Sequence, residues 1–283
     1  MPVISTNNAA NAALNYLNLN SSQETNKIAQ LASGSRIVQA MDDAAGLAIG
    51  TQLQANVTVF QQDAVNISQG TSILQSTDGA LAQISNVLQR MMALATEAAS
   101  GQVTNTQRSQ DINTEYQQLK GEIQSIVTST TYAGQSLLSG SFLHNVKFLI
   151  GTQSTNFITV SLATISVGGT AHASAKTLLG KTGSTVATAS AALHAIQAVG
   201  SAINTITKDR ALAGAFESQF NFSGQDIATN VQNISAAASV IMDADVASVK
   251  ASLSANDVKT QASVAALTQA AQLPQELLKL LQS

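Results

Sequence analysis

Residues 42–99 read DDAAGLAIGTQLQANVTVFQQDAVNISQGTSILQSTDGALAQISNVLQRMMALATEAA, and this stretch decides the fold. Apolar residues recur in it at alternating gaps of four and three, along a register formed by Leu53, Val57, Phe60, Ala64, Ile67, Leu74, Leu81, Leu88 and Ala95. Such a heptad stripe predicts one long helix packed along a partner helix. At about 1.5 Å per residue the helix would span roughly 80–90 Å, so we expect an elongated rod.

A second apolar register widens the stripe over the later turns of this helix. It consists of Ile73, Ala80, Ile84, Val87, Met91 and Leu94. A face this wide favours a helical bundle over a bare two-stranded coil. The helix should begin at Asp42-Asp43, after a break at Ser33-Gly34-Ser35-Arg36. We interpret the two carboxylates as a helix cap with a solvated neighbour, in preference to a metal or acid/base pair.

Both ends of the chain carry further heptads. The amino-terminal one, within residues 2–39, comprises Ala10, Leu14, Leu17, Ser21, Glu24, Ile28 and Leu31, and the carboxyl-terminal one comprises Val264, Leu267, Ala271, Leu278 and Leu281. Polar residues at Ser21 and Glu24 weaken the first helix, which alone should be largely disordered. The two seams can be buried against each other and neighbouring copies, or inside a closed intramolecular bundle, and periodicity leaves both open.

The middle of the chain changes character. A second helix, over Ile112 to Ile126, follows a break at Ser100-Gly101-Gln102, and so short a connection favours an antiparallel hairpin. Residues 146–150 and 157–162 have strand composition and are joined by a short polar turn, and a third short strand is expected at 164–167. Helical periodicity resumes near Ala189. The predicted fold is therefore mainly α, with long antiparallel coiled-coil-like helices, paired terminal helices and a small β-hairpin region in the middle.

The composition excludes several classes of function. The 283 residues are 10% charged and 4% aromatic, contain no Cys or Trp and carry a net charge of −3. The chain has no cluster of basic residues, so we expect neither a nucleic-acid nor a membrane partner. No apolar run is long enough to span a bilayer. Gly180-Lys181-Thr182 lacks the preceding glycine of a phosphate loop, because Ala175 stands there. We predict no metal, no cofactor and no catalytic site.

Several linked motifs give the chain a family resemblance. Residues 31–37 and 42–49 resemble the LSSGxRI…DDAAGxAI block at the amino terminus of bacterial flagellins. Residues 132–138 resemble the F-N-G-x-x-L-L element of these proteins, with Ala133 at the Asn position. Residues 241–245 resemble I-E-D-A-D, with Met242 where Glu is usual, and residues 273–281 resemble the flagellin carboxyl terminus.

This resemblance implies a structural subunit of the bacterial flagellar filament. Its terminal helices would fold as copies join a homopolymer, after export of the unfolded chain through the flagellar export apparatus without a cleaved signal. The implied location is the extracellular flagellum, and the implied partners are an export chaperone, the filament cap and hook-associated junction proteins. The implied divisions are an inner-tube helix at 1–41 paired with one at 245–283, rod helices at 42–141 and 189–244, and a variable β-hairpin region at 142–188.

Two sets of site residues follow from the heptads and the resemblance. The residues expected to pack between subunits are Leu14, Leu17, Ile28, Leu31, Val264, Leu267, Leu278 and Leu281. The residues at the positions through which many flagellins contact a Toll-like receptor are Arg90, Leu94 and Glu115. Met92, Ala93 and Gln219 depart from the residues that the family usually has near that surface.

Three alternatives stand beside the filament subunit. A hook-filament junction protein shares the terminal helices, but it usually reads Asp-Asp-Pro where this chain has Asp42-Asp43-Ala44. A secreted or cell-surface glycan-binding adhesin would use the Ser/Thr-rich hairpin region. An enzyme would need an acid/base or nucleophile constellation, and the sequence offers none.

Overall fold

The computed structural model describes residues 7–139, 142–162, 165–166, 176–179 and 185–282. Its helices are α1 (Asn8–Ser33), α2 (Ala44–Ala99), α3 (Asn105–Gln107), a π-helical turn (Arg108–Ile112), α4 (Asn113–Ser129), α5 (Ala189–Met242) and α6 (Val246–Gln282). Its strands are β1 (Thr131–Tyr132), β2 (Gln135–Ser136), β3 (His144–Leu149), β4 (Phe157–Ser161), β5 (Ile165–Ser166) and β6 (Lys176–Thr177). The expectation of a mainly α chain with a small β region in its middle is confirmed.

The two adjacent carboxylates before α2 have different tasks. Asp43 is the cap, because its Oδ1 accepts the N–H of Gly46 at 2.8 Å. Asp42 closes the preceding turn, since its Oδ2 accepts the N–H groups of Val38 and Gln39 at 3.1 and 2.9 Å. The predicted cap is confirmed, and its neighbour is a second backbone acceptor.

The chain divides into two compact units, of which the central one comprises Thr58–Val231. Its larger apolar cluster joins α2, α4 and the first half of α5, and its fully buried side chains include Ile84, Leu88, Met91, Tyr116, Ile123, Val199 and Ile206. The second cluster joins α2, the β3–β4 hairpin and the middle of α5, and includes Ile67, Leu74, Ile158, Val160 and Phe220. Both registers predicted for the long helix therefore contribute to the core.

Strands β3 and β4 form the predicted antiparallel hairpin, with Val146 opposite Val160 and Leu149 opposite Phe157. Phe148 packs edge-on against Phe220 of α5, with the ring centroids 5.2 Å apart. Of the third predicted strand, Ile165–Ser166 forms β5, which pairs in parallel with β6, while residues 164 and 167 lie outside the described residues.

The terminal unit comprises Met1–Val57 and Gln232–Ser283, and α1 runs antiparallel to α6 within it. The pairing predicted for the two chain ends is confirmed. The half-buried side chains of α1 that follow a heptad are Ala10, Ala13, Leu17, Asn20, Glu24, Lys27 and Leu31. At alternate positions this seam is one residue earlier than the heptad read from the sequence, whose Leu14, Ser21 and Ile28 are exposed in the pair. The contact between the two helices is correspondingly more polar than expected.

Candidate assembly surface

The linkers between α1 and α2 and between α5 and α6 are hydrogen-bonded to each other. The N–H of Arg36 donates to the carbonyl of Met242 at 2.7 Å, and the N–H of Ala244 donates to the carbonyl of Gly34 at 2.9 Å. The Ser35 hydroxyl donates to the Met242 carbonyl at 3.0 Å. These bonds fix the end of α1 beside the start of α6, so the two terminal helices leave the joint side by side.

Beyond this joint the two helices meet largely through polar groups. Asn20 Nδ2 donates to the Ser263 hydroxyl at 2.9 Å, and the Thr260 hydroxyl donates to Glu24 Oε2 at 3.1 Å. Near the other end of the pair, Asn7 Nδ2 donates to the carbonyl of Ala270 at 2.6 Å. Such bonds fix the register of the pair but remove little apolar surface from water.

Helix α1 consequently has no buried residue, although the structure describes every residue in it. Leu14 and Ile28 keep 45% and 49% of their surface exposed, and Val264 on α6 keeps 46%. Leu17, Leu31 and Leu267 are half-buried in the pair. The side chains of Leu278 and Leu281 lie outside the described part of the structure.

Among the described residues, exposed apolar side chains are concentrated in the terminal unit. Those with large side chains are Leu14, Tyr16, Leu19, Ile28, Val38, Met41, Ile49, Val240, Val246, Val258 and Val264. Its buried apolar residues are few, namely Ile37, Val57, Ala238, Val249, Leu253 and Ala270. In the central unit, buried apolar residues outnumber the exposed large ones. Contiguous exposed apolar surface is typical of protein association sites.

The three residues expected at a receptor surface do not lie together on the outside. Arg90 and Glu115 form an exposed ion pair between α2 and α4, with Arg90 Nη2 2.6 Å from Glu115 Oε1. Leu94 is only 2% exposed and belongs to the larger apolar cluster of the central unit. The heptad explains this placement, because Leu94 lies on the second apolar register of α2 and that register faces the core.

Sequence reasoning missed Arg108, whose guanidinium donates to four acceptors. It is buried, and its Nε donates to the carbonyl of Ala98 at 2.6 Å. Its Nη2 donates to the carbonyls of Ser100 and Val103, both at 3.1 Å, and its Nη1 donates to Asn105 Oδ1 at 2.7 Å. The cation therefore caps the carboxyl end of α2, where the helix dipole favours positive charge. No sequence motif indicates this role.

Burial shifts the pKa of two residues on the helices of the central unit. Burial raises the pKa of Tyr116 to about 12, so its hydroxyl stays neutral. Burial also raises the pKa of Asp63 above its ordinary value. Within the described residues, no three His, Cys, Asp or Glu side chains are grouped closely enough to hold a metal ion. No described helix is long and apolar enough to cross a membrane.

The structural features define a class of protein: a mainly helical subunit whose paired terminal helices leave much of their apolar surface uncovered. Comparison with known proteins gives the family. The family model described as "Bacterial flagellin N-terminal helical region" matches residues 4–142, and the one described as "Bacterial flagellin C-terminal helical region" matches residues 196–281.

Relatives align with the chain over nearly its whole length. The flagellar filament 30.7 kDa core protein of Treponema maltophilum is 32% identical over 99% of both chains. The flagellin of Listeria innocua is 31% identical over 95% of both. A crystal structure of Bacillus cereus flagellin matches with a TM-score of 0.45 and 25% identity, covering 62% of this chain and 94% of that one.

The chain belongs to the bacterial flagellin family. This confirms the expectation, drawn from the motifs at both chain ends, of a structural subunit of the flagellar filament. Flagellins are structural proteins that assemble into extracellular filaments, and none of these comparisons favours a junction protein or an adhesin.

Proposed function

We propose that α1 and α6 form the innermost layer of the filament, and that they gain stable structure as each copy is added. In this proposal residues 1–41 and 245–283 are the inner-tube helices, residues 42–141 and 189–244 form the surrounding helices, and residues 142–188 form the outer hairpin region. Before assembly the terminal helices would be disordered or weakly ordered. Burial between neighbouring copies would offset the conformational entropy that they lose.

One observation carries this proposal: α1 pairs with α6 and yet buries no residue. The polar bonds of this pair contribute only about 1 kcal/mol each at most sites. A helix of 26 residues loses far more conformational entropy than that when it becomes ordered. We infer that further burial comes from outside the pair, and a second copy supplies surfaces of matching composition.

The proposal extends to the partners that a filament subunit meets in the cell. We infer delivery by the flagellar export apparatus with an export chaperone, followed by contacts with the filament cap and with the hook-associated junction proteins. The chain contains no cysteine, so no disulfide opposes passage as an extended polypeptide. We infer no catalytic role.

Deletion of residues 245–283 tests the assembly mechanism. We expect the truncated chain to form no sedimenting polymer when seeded, while the central unit keeps its melting transition, because both of its apolar clusters lie within residues 58–231. Leu267→Gln should act in the same direction, since Leu267 is half-buried against α1. Thr268→Gln, on an exposed position of the same helix, is the matched control. Filaments formed by the truncated chain would refute the mechanism.

Recognition by a Toll-like receptor remains a separate proposal. Arg90 and Glu115 are exposed and would present one cation and one carboxylate, whereas Leu94 would have to leave the core to contribute. A reporter assay with purified monomer, compared with Arg90→Ala, decides the question. Equal responses to the two proteins would exclude Arg90 as a contact.

A further inference from the structure

The pair formed by α1 and α6 has two different sides. One side is a shallow groove with a volume of about 600 Å³, lined by Tyr16, Leu19, Ala262 and Ala266 among others. Tyr16 and Leu19 are 65% and 52% exposed, and the two alanines leave space between the larger side chains. We call this surface the groove. Its lining is mainly apolar in area, and its polar residues are Asn20, Gln23, Lys259 and Ser263.

The other side carries a row of residues that we call the ridge. Leu14, Ser21 and Ile28 repeat every seven residues on α1, and none of them lines the groove. Successive side chains of an α-helix are rotated by about 100° around its axis. With Leu17 of the seam set at zero, Leu14 and Ile28 lie on the positive side of the helix, whereas Tyr16 and Leu19 lie on the negative side. On α6, the same count from Thr260 puts Val264 at a positive angle. In an antiparallel pair, side chains at angles of the same sign fall on the same side, so Val264 extends the ridge.

We propose that the ridge of one copy docks in the groove of a second copy. This inference rests on the proposed function, and it assigns the two surfaces that meet. A contact between two different surfaces leaves an unused ridge on one copy and an unused groove on the other, so a third copy can be added. A contact of groove with groove would use the same surface twice and stop at a dimer.

The chemistry of the two surfaces fits this arrangement. The ridge contains Leu14, Ser21, Ile28 and Val264, none of which is charged, so docking buries no unpaired charge from that side. The three apolar ridge residues are each roughly half exposed, so they project from the pair. Ala262 and Ala266 in the groove provide recesses of the kind that receive Leu and Ile knobs between packed helices.

The absence of cysteine from the chain makes a direct test possible. Ser21→Cys places a thiol on the ridge, and Ala262→Cys places one in the groove. The test polymerises four proteins from seeds and treats them with a short bismaleimide. They are the double variant, the two single variants and the control Ser21→Cys/Ala265→Cys. Ala265 is adjacent in sequence to the groove residue Ala266, but it points away from α1 and does not line the groove.

We expect cross-linked trimers and larger ladders from filaments of the Ser21→Cys/Ala262→Cys variant. Each single variant should stay monomeric, an equimolar mixture of the two should stop at dimers, and the control should give no ladder. Dimers from Ala262→Cys alone, or filaments of the double variant without a ladder, would overturn the inference while leaving the proposed function intact. Failure of the parent chain to polymerise would overturn both.

A second measurement covers thiol variants that do not assemble. Ala266→Gln fills the groove with a flexible polar side chain and should raise the critical concentration for polymerisation about tenfold. Ala265→Gln makes the same change outside the groove and should leave the critical concentration unchanged. Equal critical concentrations for the two variants would refute a docking role for the groove.

Discussion

At the scale of single residues, Asp63 is a buried carboxylate on α2. The stripe predicts an apolar contact at Ala64, but Ala64 is exposed and Asp63 is 1% exposed. Its Oδ2 has no hydrogen-bond partner among the described residues. A buried carboxylate oxygen without a partner costs about 1–3 kcal/mol.

Asp63→Asn should therefore stabilise the central unit at neutral pH. Burial raises the pKa of this carboxyl in the folded chain, so its ionisation opposes folding, and the cost grows as the pH rises from the unfolded pKa through the folded one. We expect a gain of about 1 kcal/mol at pH 7 that disappears near pH 3, where both forms are neutral. Urea unfolding at the two pH values measures it. The exposed Asp226→Asn is the control, and a gain that persists at pH 3 would contradict this explanation.

The capping role of Arg108 depends on the shape of its guanidinium group. Its three nitrogen donors reach four different acceptors around the end of α2, which the compact ammonium of a lysine cannot span. Arg108→Lys should lower the free energy of unfolding by about 2–3 kcal/mol, because it leaves carbonyls unsatisfied in a buried site. Arg210→Lys, which keeps the charge of the exposed pair with Asp78, should cost less than about 1 kcal/mol. Equal losses in chemical denaturation would contradict the shape argument.

At the scale of elements, the β1–β2 hairpin contains a turn with an unfavourable residue. Ala133 has φ of 48° and Gly134 has φ of 79°, as in a two-residue turn with both central residues left-handed. Alanine tolerates this conformation poorly, whereas asparagine adopts it readily. Ala133→Asn should raise the free energy of unfolding by about 1 kcal/mol in thermal or urea melts. Ala133→Val should lower it, and a neutral result for both would show that the turn is relaxed.

The elements differ in how far the sequence predicts them. The bounds of α2 follow from a long apolar stripe and the Asp43 cap, and both strands of the β3–β4 hairpin follow from their composition. The seam of α1 could not be predicted to the residue, because polar side chains such as Asn20 and Glu24 form it through hydrogen bonds to α6. Apolar periodicity instead selects Leu14 and Ile28, which the pair leaves exposed. The heptad thus identifies apolar positions on α1, and the packing of Leu14 and Ile28 between copies stays a prediction.

At the scale of the whole molecule, the two units are stabilised in different ways. The central unit has two apolar clusters of its own, whereas the terminal unit relies on the joint around Ser35 and Met242 and on a polar helix pair. Local stability follows buried apolar contacts, so the terminal helices should open far more often than the central ones in an isolated chain. Addition to a filament should remove this difference.

Amide hydrogen exchange of monomer and filament tests that expectation. We expect amides of α1 and α6 to exchange at least about tenfold more slowly in the filament, because each copy then covers the exposed side chains of its neighbour. Amides of residues 81–98, within the larger apolar cluster, should be well protected in both states and serve as the internal control. Protection of α1 that is already complete in the monomer would mean that its pairing with α6 is sufficient. Coupled folding and assembly would then be wrong, even if the filament forms.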